Sequence, residues 1–151
     1  MTIRPIQSTD YEKVEQLIKD AILEINAKDY SKENIERMLE MDPYRPRATA
    51  QERDYFVATD GTDILGVIGM KENEVKTLFV DPTYHGQNIG TSLLTHIEKL
   101  IADNGYSVSN VYSSVSAKKF YEKQGYTLIK EDISENNENK MLRYYMEKKL
   151  S

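Results

Sequence analysis

The stretch Val80-Asp81-Pro82-Thr83-Tyr84-His85-Gly86-Gln87-Asn88-Ile89-Gly90-Thr91-Ser92-Leu93-Leu94 constrains this chain more than any other. It reads as the end of an apolar strand, a Pro-started glycine loop, and the first turn of an amphipathic helix. Such a loop turns several backbone N–H groups toward one point beside the positive end of a helix dipole. That is a site for a phosphate or pyrophosphate. Past Asp81 the loop carries neither Lys nor carboxylate, so it would hold phosphate through its backbone, without metal. The dinucleotide fingerprint G-x-G-x-x-G is absent, and so is the G-K-[ST] of a P-loop.

The rest of the chain reads around that loop. Thr2 to Ile6 is a short strand. Thr9 and Glu12 fit a capping box, and Val14, Leu17, Ile18, Ala21, Ile22 and Ile25 fall at helical spacing. Ser31 caps a second helix burying Ile35, Met38, Leu39 and Met41, which Pro43 and Pro46 end. Asp54–Thr59, Ile64–Lys71 and Glu74–Val80 read as an antiparallel meander, with Asp-Gly at the first tip. A third helix carries Ile89, Leu93, Leu94, Ile97, Leu100 and Ile101 and stops at Asn104-Gly105. Val108 to Ser113 is a strand, a short helix runs from about Ala117 to Gln124 with Gly125 at its C′ position, and Tyr126–Ile133 and Met141–Lys148 are final strands. Residues 134–140 (SENNENK) read as a polar surface loop. The order β-αα-βββ-α-β-α-ββ predicts an α/β fold: a mixed sheet with helices on its faces. At 151 residues the expectation is one domain, 1–151.

Composition removes whole classes of function. With no Cys, disulfides, thiolate zinc sites and a Cys nucleophile are excluded; with two His, so is a His-rich metal cluster. The net charge of −5 argues against general nucleic-acid or anionic-membrane binding. The start MTIRPIQSTD lacks a signal-peptide core, and the longest apolar run, Ile64 to Met70, is too short to span a membrane. A reducing, cytoplasmic compartment is expected.

Two segments carry a resemblance. Pro82 to Gly90 resembles the acyl-CoA signature of the GCN5-related N-acetyltransferases, in which V-x-P is followed by [Gln or Arg]-x-x-Gly-x-[Gly or Ala] and a Leu-rich helix. His85 takes the Gln/Arg position, Asn88 the middle Gly and Gly90 the last. Asn is the non-Gly residue best suited to positive φ, so Asn88 can keep the loop shape. Ser114 to Tyr126 is similar to the family's other hallmark, N-x-x-A-x-x-F-Y-E-K-x-G-[Phe or Tyr]. Ala117, Phe120, Tyr121, Glu122, Lys123, Gly125 and Tyr126 match it, and Ser114 stands where Asn is usual.

The resemblance covers almost the whole chain and implies the acyl-CoA N-acyltransferase fold. In that fold the sheet splits between the strand before the loop and the strand after the third helix. It implies acetyl-CoA as co-substrate, with no metal. The pantetheine arm would pair with backbone near Leu78, Phe79 and Val80, ligand-borne strand addition. The pyrophosphate would lie on the amides of His85, Gly86, Gln87, Asn88, Ile89, Gly90 and Thr91, and Ser114 would hydrogen-bond the arm. The reaction would be direct attack of an amine on the acetyl thioester, with no covalent enzyme intermediate. A backbone N–H at Phe79 or Val80 would polarise the carbonyl. Tyr121 would protonate the leaving thiolate, and Glu74, or second Glu72, would serve as base through water. Packing is the expected role of Phe120.

The acceptor would meet the acetyl group beside the first two helices, near Glu24, Asp29, Tyr30 and Met41 to Arg47. Tyr11, Tyr30, Tyr44 and Tyr112 are candidates to line that cleft or to pack behind it. His96 is expected to be packed or at the surface. The leading expectation is a small-molecule amine; a protein or peptide amine, or a non-catalytic acyl-CoA-binding module, are the alternatives. A homodimer through the final strands stays open.

Overall fold

The computed structural model describes residues 1–133 and 141–150; the expected surface loop at 134–140 lies outside the described residues. The elements are β1 (Thr2–Pro5), α1 (Tyr11–Glu24), α2 (Lys32–Glu40), α3 (Pro46–Thr49), β2 (Asp54–Asp60), β3 (Asp63–Lys71) and β4 (Glu74–Val80). They continue with α4 (Ile89–Asp103), β5 (Val108–Ser113), α5 (Lys118–Lys123), β6 (Thr127–Ile133) and β7 (Leu142–Lys149). The seven strands form one sheet in the order β1-β2-β3-β4-β5-β7-β6. All neighbours are antiparallel except β4 and β5, which run parallel. The expected α/β fold is therefore present, and every expected element lies within about two residues of its expected bounds.

Alternation along the strands divides the core between two faces. Val57, Val67 and Tyr55 pack with Val14, Leu17, Ile18 and Ile22 of α1 and Ile35 and Met38 of α2. Ala58, Ile68, Met70 and Val75 pack with Leu93, Leu94, Ile97 and Ile101 of α4 on the opposite face. The helices thus bury one stripe each. The register of β3 on β4 shifts between Gly69 and Met70, whose partners are Thr77 and Val75. The extra residue, Lys76, forms a bulge that bends β4 just where it enters the split described below.

Three local expectations are corrected. First, α1 is not capped by Thr9 and Glu12. A 3-10 turn over Ser8–Asp10 precedes it, and the Asp10 carboxylate accepts from the Gln7 N–H at 2.7 Å. Second, Pro46 does not simply end the second helix; it opens α3. Its missing N–H is harmless at the first helical position and its φ suits a helix. Third, Met41 lies past the end of α2 and is only half-buried. Ser31 caps α2 as expected, its Oγ accepting from Asn34 N at 3.1 Å.

Asp10 also accepts both Nη groups of Arg4, at 2.7 and 3.1 Å, which ties β1 to the start of α1. The Arg4 hydrogen bond holds the Asp10 carboxyl below the ordinary 3.8, the Gln7 N–H adding to it against the opposing effect of burial. A depressed carboxylate stabilises the fold above its unfolded value and loses that contribution as pH falls through the folded value. Asp10→Asn is expected to cost roughly 1–2 kcal/mol at pH 7 in urea unfolding. The gap from wild type is expected to shrink as pH drops below 3.8. A gap independent of pH would contradict the charge-assisted link.

Among the described residues, no helix is long and apolar enough to cross a membrane.

Candidate active site: a split sheet above a helix N-terminus

Parallel pairing of β4 with β5 spans only Glu74↔Asn110 and Val75↔Val111. Asn73 closes that end: its side-chain amide donates to the Val108 carbonyl at 2.9 Å, and its carbonyl accepts from Asn110 N at 3.0 Å. Beyond Val75 the strands part, because the Lys76 bulge turns β4 away while β5 stays paired with β7 along its whole length. The gap is a cleft of about 240 Å³ walled by Val75–Val80 on one side and Val111–Ser114 on the other. It is the size of an organic arm rather than of one water or ion.

The β4 wall presents backbone to this gap. The Asp81 N–H donates to the Leu65 carbonyl of β3 at 2.9 Å, so Asp81 faces β3. Facing alternates along an antiparallel strand; with Phe79 opposite Val67, Phe79 points its N–H to β3, and Leu78 and Val80 point theirs into the gap. Of the two expected carbonyl donors, Phe79 and Val80, geometry favours Val80.

The glycine loop continues the cleft. A second hollow is lined by Val80, Tyr84, His85, Gly86, Asn88, Ile89, Gly90, Thr91 and Phe120, and His85, Gly90, Val80 and Phe120 line both spaces. Asp81 starts the loop, its Oδ1 accepting from Thr83 N at 2.9 Å. Gly86 adopts φ +83° and Asn88 φ +61°. Asn88 thus holds the left-handed conformation expected of it, and its side chain does not cap the helix. The opening N–H groups of α4 have no partner inside the helix. They face the hollow as a backbone cradle for an anion.

Tyr121 lines the cleft from α5, with 4% of its surface exposed. Its ring meets Phe120 at 5.2 Å and Tyr126 at 5.4 Å, both edge-on. Burial pushes its phenol up, well above the ordinary 10.0, and the nearby Glu98 carboxylate adds to the rise. The hydroxyl is therefore protonated at neutral pH. Ser114 also lines the cleft; its Oγ accepts from Ala117 N at 3.2 Å, which anchors the start of α5 and leaves the hydroxyl proton free to donate. Phe120 packs against the main core, as expected, and forms part of both walls.

Glu74 is not brought to the cleft wall. It sits at the closed end of the split, opposite Asn110, with its carboxylate 3.0 Å from Lys76. Glu72 is exposed in the β3–β4 turn. Neither is itself part of the lining that holds Tyr121, although Lys76, the partner of Glu74, is.

On the α1–α2 side the wall is made by Ala21, Ile25, Asn26, Met38 and Tyr44. Tyr44 lines that wall and Tyr112 the β5 wall, two of the four candidate tyrosines. Tyr44 packs edge-on against Phe79 at 6.1 Å, and burial pushes its phenol up to about 12. Tyr112 carries the Arg143 guanidinium 4.2 Å above its ring. Tyr30 acts as a bridge instead, its hydroxyl accepting from Val115 N at 2.9 Å. Asp29 accepts from Ser116 Oγ at 2.7 Å, so these two residues tie the acceptor-side loop to the start of α5. Tyr11 packs under Arg47, and His96 packs on Phe56 at 5.2 Å. Sequence reasoning missed Asn26, Met38, Lys76 and Thr77 as lining, because only the split reveals which side of each element faces it. Among the described residues, no cluster of three or more His, Asp or Glu gathers to hold a metal.

Comparison with known proteins agrees with this geometry. The acetyltransferase (GNAT) domain model matches residues 26–150. The uncharacterised N-acetyltransferase YafP of Escherichia coli (strain K12) is 25% identical over 144 residues, covering 95% of this chain and 93% of that protein. A solved GCN5-related N-acetyltransferase from Rhodopseudomonas palustris is similar with a TM-score of 0.88 and 25% identity, over 99% of this chain and 95% of that one. The PaiA N-acetyltransferase of Thermoplasma acidophilum, solved in complex with coenzyme A, has a TM-score of 0.75 and 22% identity, over 99% and 100% of the two chains.

Proposed function

The chain belongs to the GNAT acetyltransferase family, and on that premise we propose that residues 1–151 act as one catalytic unit. The unit moves the acetyl group of acetyl-CoA to a primary amine of a small molecule. The observation that carries this reading is the continuity of the split with the loop. Two adjoining spaces that share Val80, His85, Gly90 and Phe120 lead from Tyr121, past the gap-facing backbone of Leu78 and Val80, to the unpaired N–H groups at the start of α4. An elongated thioester ending in a pyrophosphate fits that order of partners.

The residues then divide the work. Backbone N–H groups from His85 to Thr91 hold the pyrophosphate, with Asn88 fixing the turn. Leu78 and Val80 pair with the amides of the arm as a strand would, and Ser114 donates to it from the opposite wall. The Val80 N–H donates to the thioester carbonyl oxygen as negative charge develops there. When the amine attacks, the C–N bond forms and the C–S bond breaks with its electron pair going to sulfur. The Tyr121 hydroxyl donates its proton to that sulfur and recovers one from the proton the amine releases. Before the attack, Glu74 takes through water the extra proton of the incoming ammonium, leaving the neutral amine that attacks. Glu74 would act from the closed end of the split, where its carboxylate pairs with Lys76 of the cleft lining.

The walls of the acceptor region are Ala21, Ile25, Asn26, Met38 and Tyr44, mostly apolar, in a half-open cleft of about 240 Å³. A space of that size supports a small acceptor over an extended peptide.

Thiol release from acetyl-CoA across a panel of free amines and peptides tests the reading. Turnover with at least one small amine is expected. Tight CoA binding without turnover on any amine would instead favour an acyl-CoA-binding module, and turnover on peptides alone would favour a protein acceptor. Within the same assay, Glu74→Gln is expected to lower kcat/KM roughly 10-fold, the low end for an acid–base group acting through water. The loss is expected to narrow as pH rises and the free amine deprotonates unaided. An undiminished rate at pH 6 would remove Glu74 from the base role.

A further inference from the structure

The helix that carries Tyr121 is fastened to the helix that opens the phosphate cradle by a buried polar unit. The Tyr126 hydroxyl donates to Glu98 Oε2 at 2.8 Å and lies 2.8 Å from Ser109 Oγ. A carboxylate can only accept, so the Ser109 hydroxyl donates to Tyr126 and the chain of donors has one direction. Lys148 Nζ donates to the other oxygen, Glu98 Oε1, at 3.1 Å. Ser109 is fully buried and the Glu98 side chain is 12% exposed. A second link, Gln124 Nε2 to Thr91 Oγ1 at 3.1 Å, runs between the end of α5 and the first turn of α4.

Tyr121 itself has no hydrogen-bond partner for its hydroxyl among the described residues. Its ring is held by packing on Phe120 and Tyr126, and its backbone by the Tyr126 N–H, which donates to the Tyr121 carbonyl at 3.0 Å. A phenol that must meet a leaving sulfur within hydrogen-bond reach needs its ring fixed by something that cannot turn. Tyr126 is that body, and its own orientation is set by Glu98, Ser109 and Lys148.

We infer that the Glu98–Tyr126 hydrogen bond, braced by Ser109 and Lys148, is a positioning unit that aims the Tyr121 hydroxyl at the leaving thiolate. This rests on Tyr121 being the acid. Burial of a carboxylate in such a place costs stability unless it is fully paired, and here Glu98 is paired on both oxygens. Phe at position 126 would fill the same volume without the hydroxyl, leaving Ser109 and one Glu98 oxygen short of a partner.

A double-mutant cycle separates aiming from plain structural support. The readout is thiol release from acetyl-CoA, with the fastest amine of the panel as acceptor, or with water where none is faster. Tyr126→Phe is expected to lower kcat roughly 10-fold, about 1.4 kcal/mol, with KM for acetyl-CoA changed by less than about 2-fold. In the Tyr121→Phe background the same substitution is expected to change kcat by less than about 2-fold, since no acid remains to aim. Glu98→Gln, which keeps an acceptor for Tyr126, is expected to retain more activity than Glu98→Ala, at thermal midpoints measured alongside. An equal loss in both backgrounds would assign the unit a structural role and overturn the inference, as would an undiminished kcat in Tyr126→Phe. If Tyr121→Phe alone leaves kcat intact, the acid assignment falls first, which that single variant reveals.

Discussion

Tyr121→Phe is expected to leave CoA affinity within about 2-fold of wild type and to lower kcat by roughly 10²-fold, about 2.7 kcal/mol of transition-state stabilisation. The ring would stay where packing on Phe120 and Tyr126 holds it, so binding and fold should survive. Only the proton for the leaving sulfur would be missing. The split between KM and kcat matters, because an interaction made only in the transition state lowers kcat and kcat/KM together. Burial and Glu98 both hold the phenol in its protonated form, so the acid should stay competent as pH rises through the range in which the acceptor amine deprotonates. Rate against pH is therefore expected to climb with the free amine and to show no fall from Tyr121 below the ordinary phenol value of 10.0. An alkaline fall below that value, lost in Tyr121→Phe, would contradict the raised phenol.

The second large effect is expected at the loop. Asn88 sits at φ +61° and ψ +20°, where Asn and Gly are tolerated and β-branched residues are not. Asn88→Val is expected to weaken CoA binding roughly 10-fold or more, in line with about 1–2 kcal/mol of backbone strain. The N–H groups that follow it can converge only while that residue keeps its left-handed turn. Asn88→Gly is expected to bind CoA at least as well as wild type, by isothermal titration. Equal weakening by Val and Gly would show that the Asn side chain, and not the backbone, does the binding. Absence of binding at millimolar CoA in wild type and Asn88→Gly alike would remove the phosphate-cradle account.

Much of this was legible in local patterns. The spacing of Ile89, Leu93, Leu94, Ile97 and Ile101 gave α4 with its buried face, and Asp60 with Gly61 gave the β2–β3 tip. The positive φ of Asn88 and of Gly125 at its C′ position followed from residue type together with place in the motif. Other features depend on contacts between distant residues. The opening between β4 and β5 arises from a bulge at Lys76 working against an uninterrupted β5–β7 ladder, and neither strand announces it. Pro46 was ambiguous because the same ring that ends one helix starts another. Glu98 carries no local signal; its burial depends on Tyr126 and Lys148 reaching it from 28 and 50 residues away. The base role of Glu74 comes from the family resemblance at the start of β4, and only the fold reveals that it stands at the closed end of the split against Lys76.

Under the proposed function, the acetyl group passes directly between two ligands held side by side, with no acyl-enzyme between them. Rapid mixing of the protein with acetyl-CoA carrying a labelled acetyl group, together with the amine selected by the panel, followed by mass measurement of both protein and small molecules, tests it most directly. Label is expected on the amine nitrogen, in step with free thiol, while the mass of the protein stays unchanged at every time point. Label accumulating on the protein before it reaches the amine, or thiol release with no acetylated amine, would contradict it.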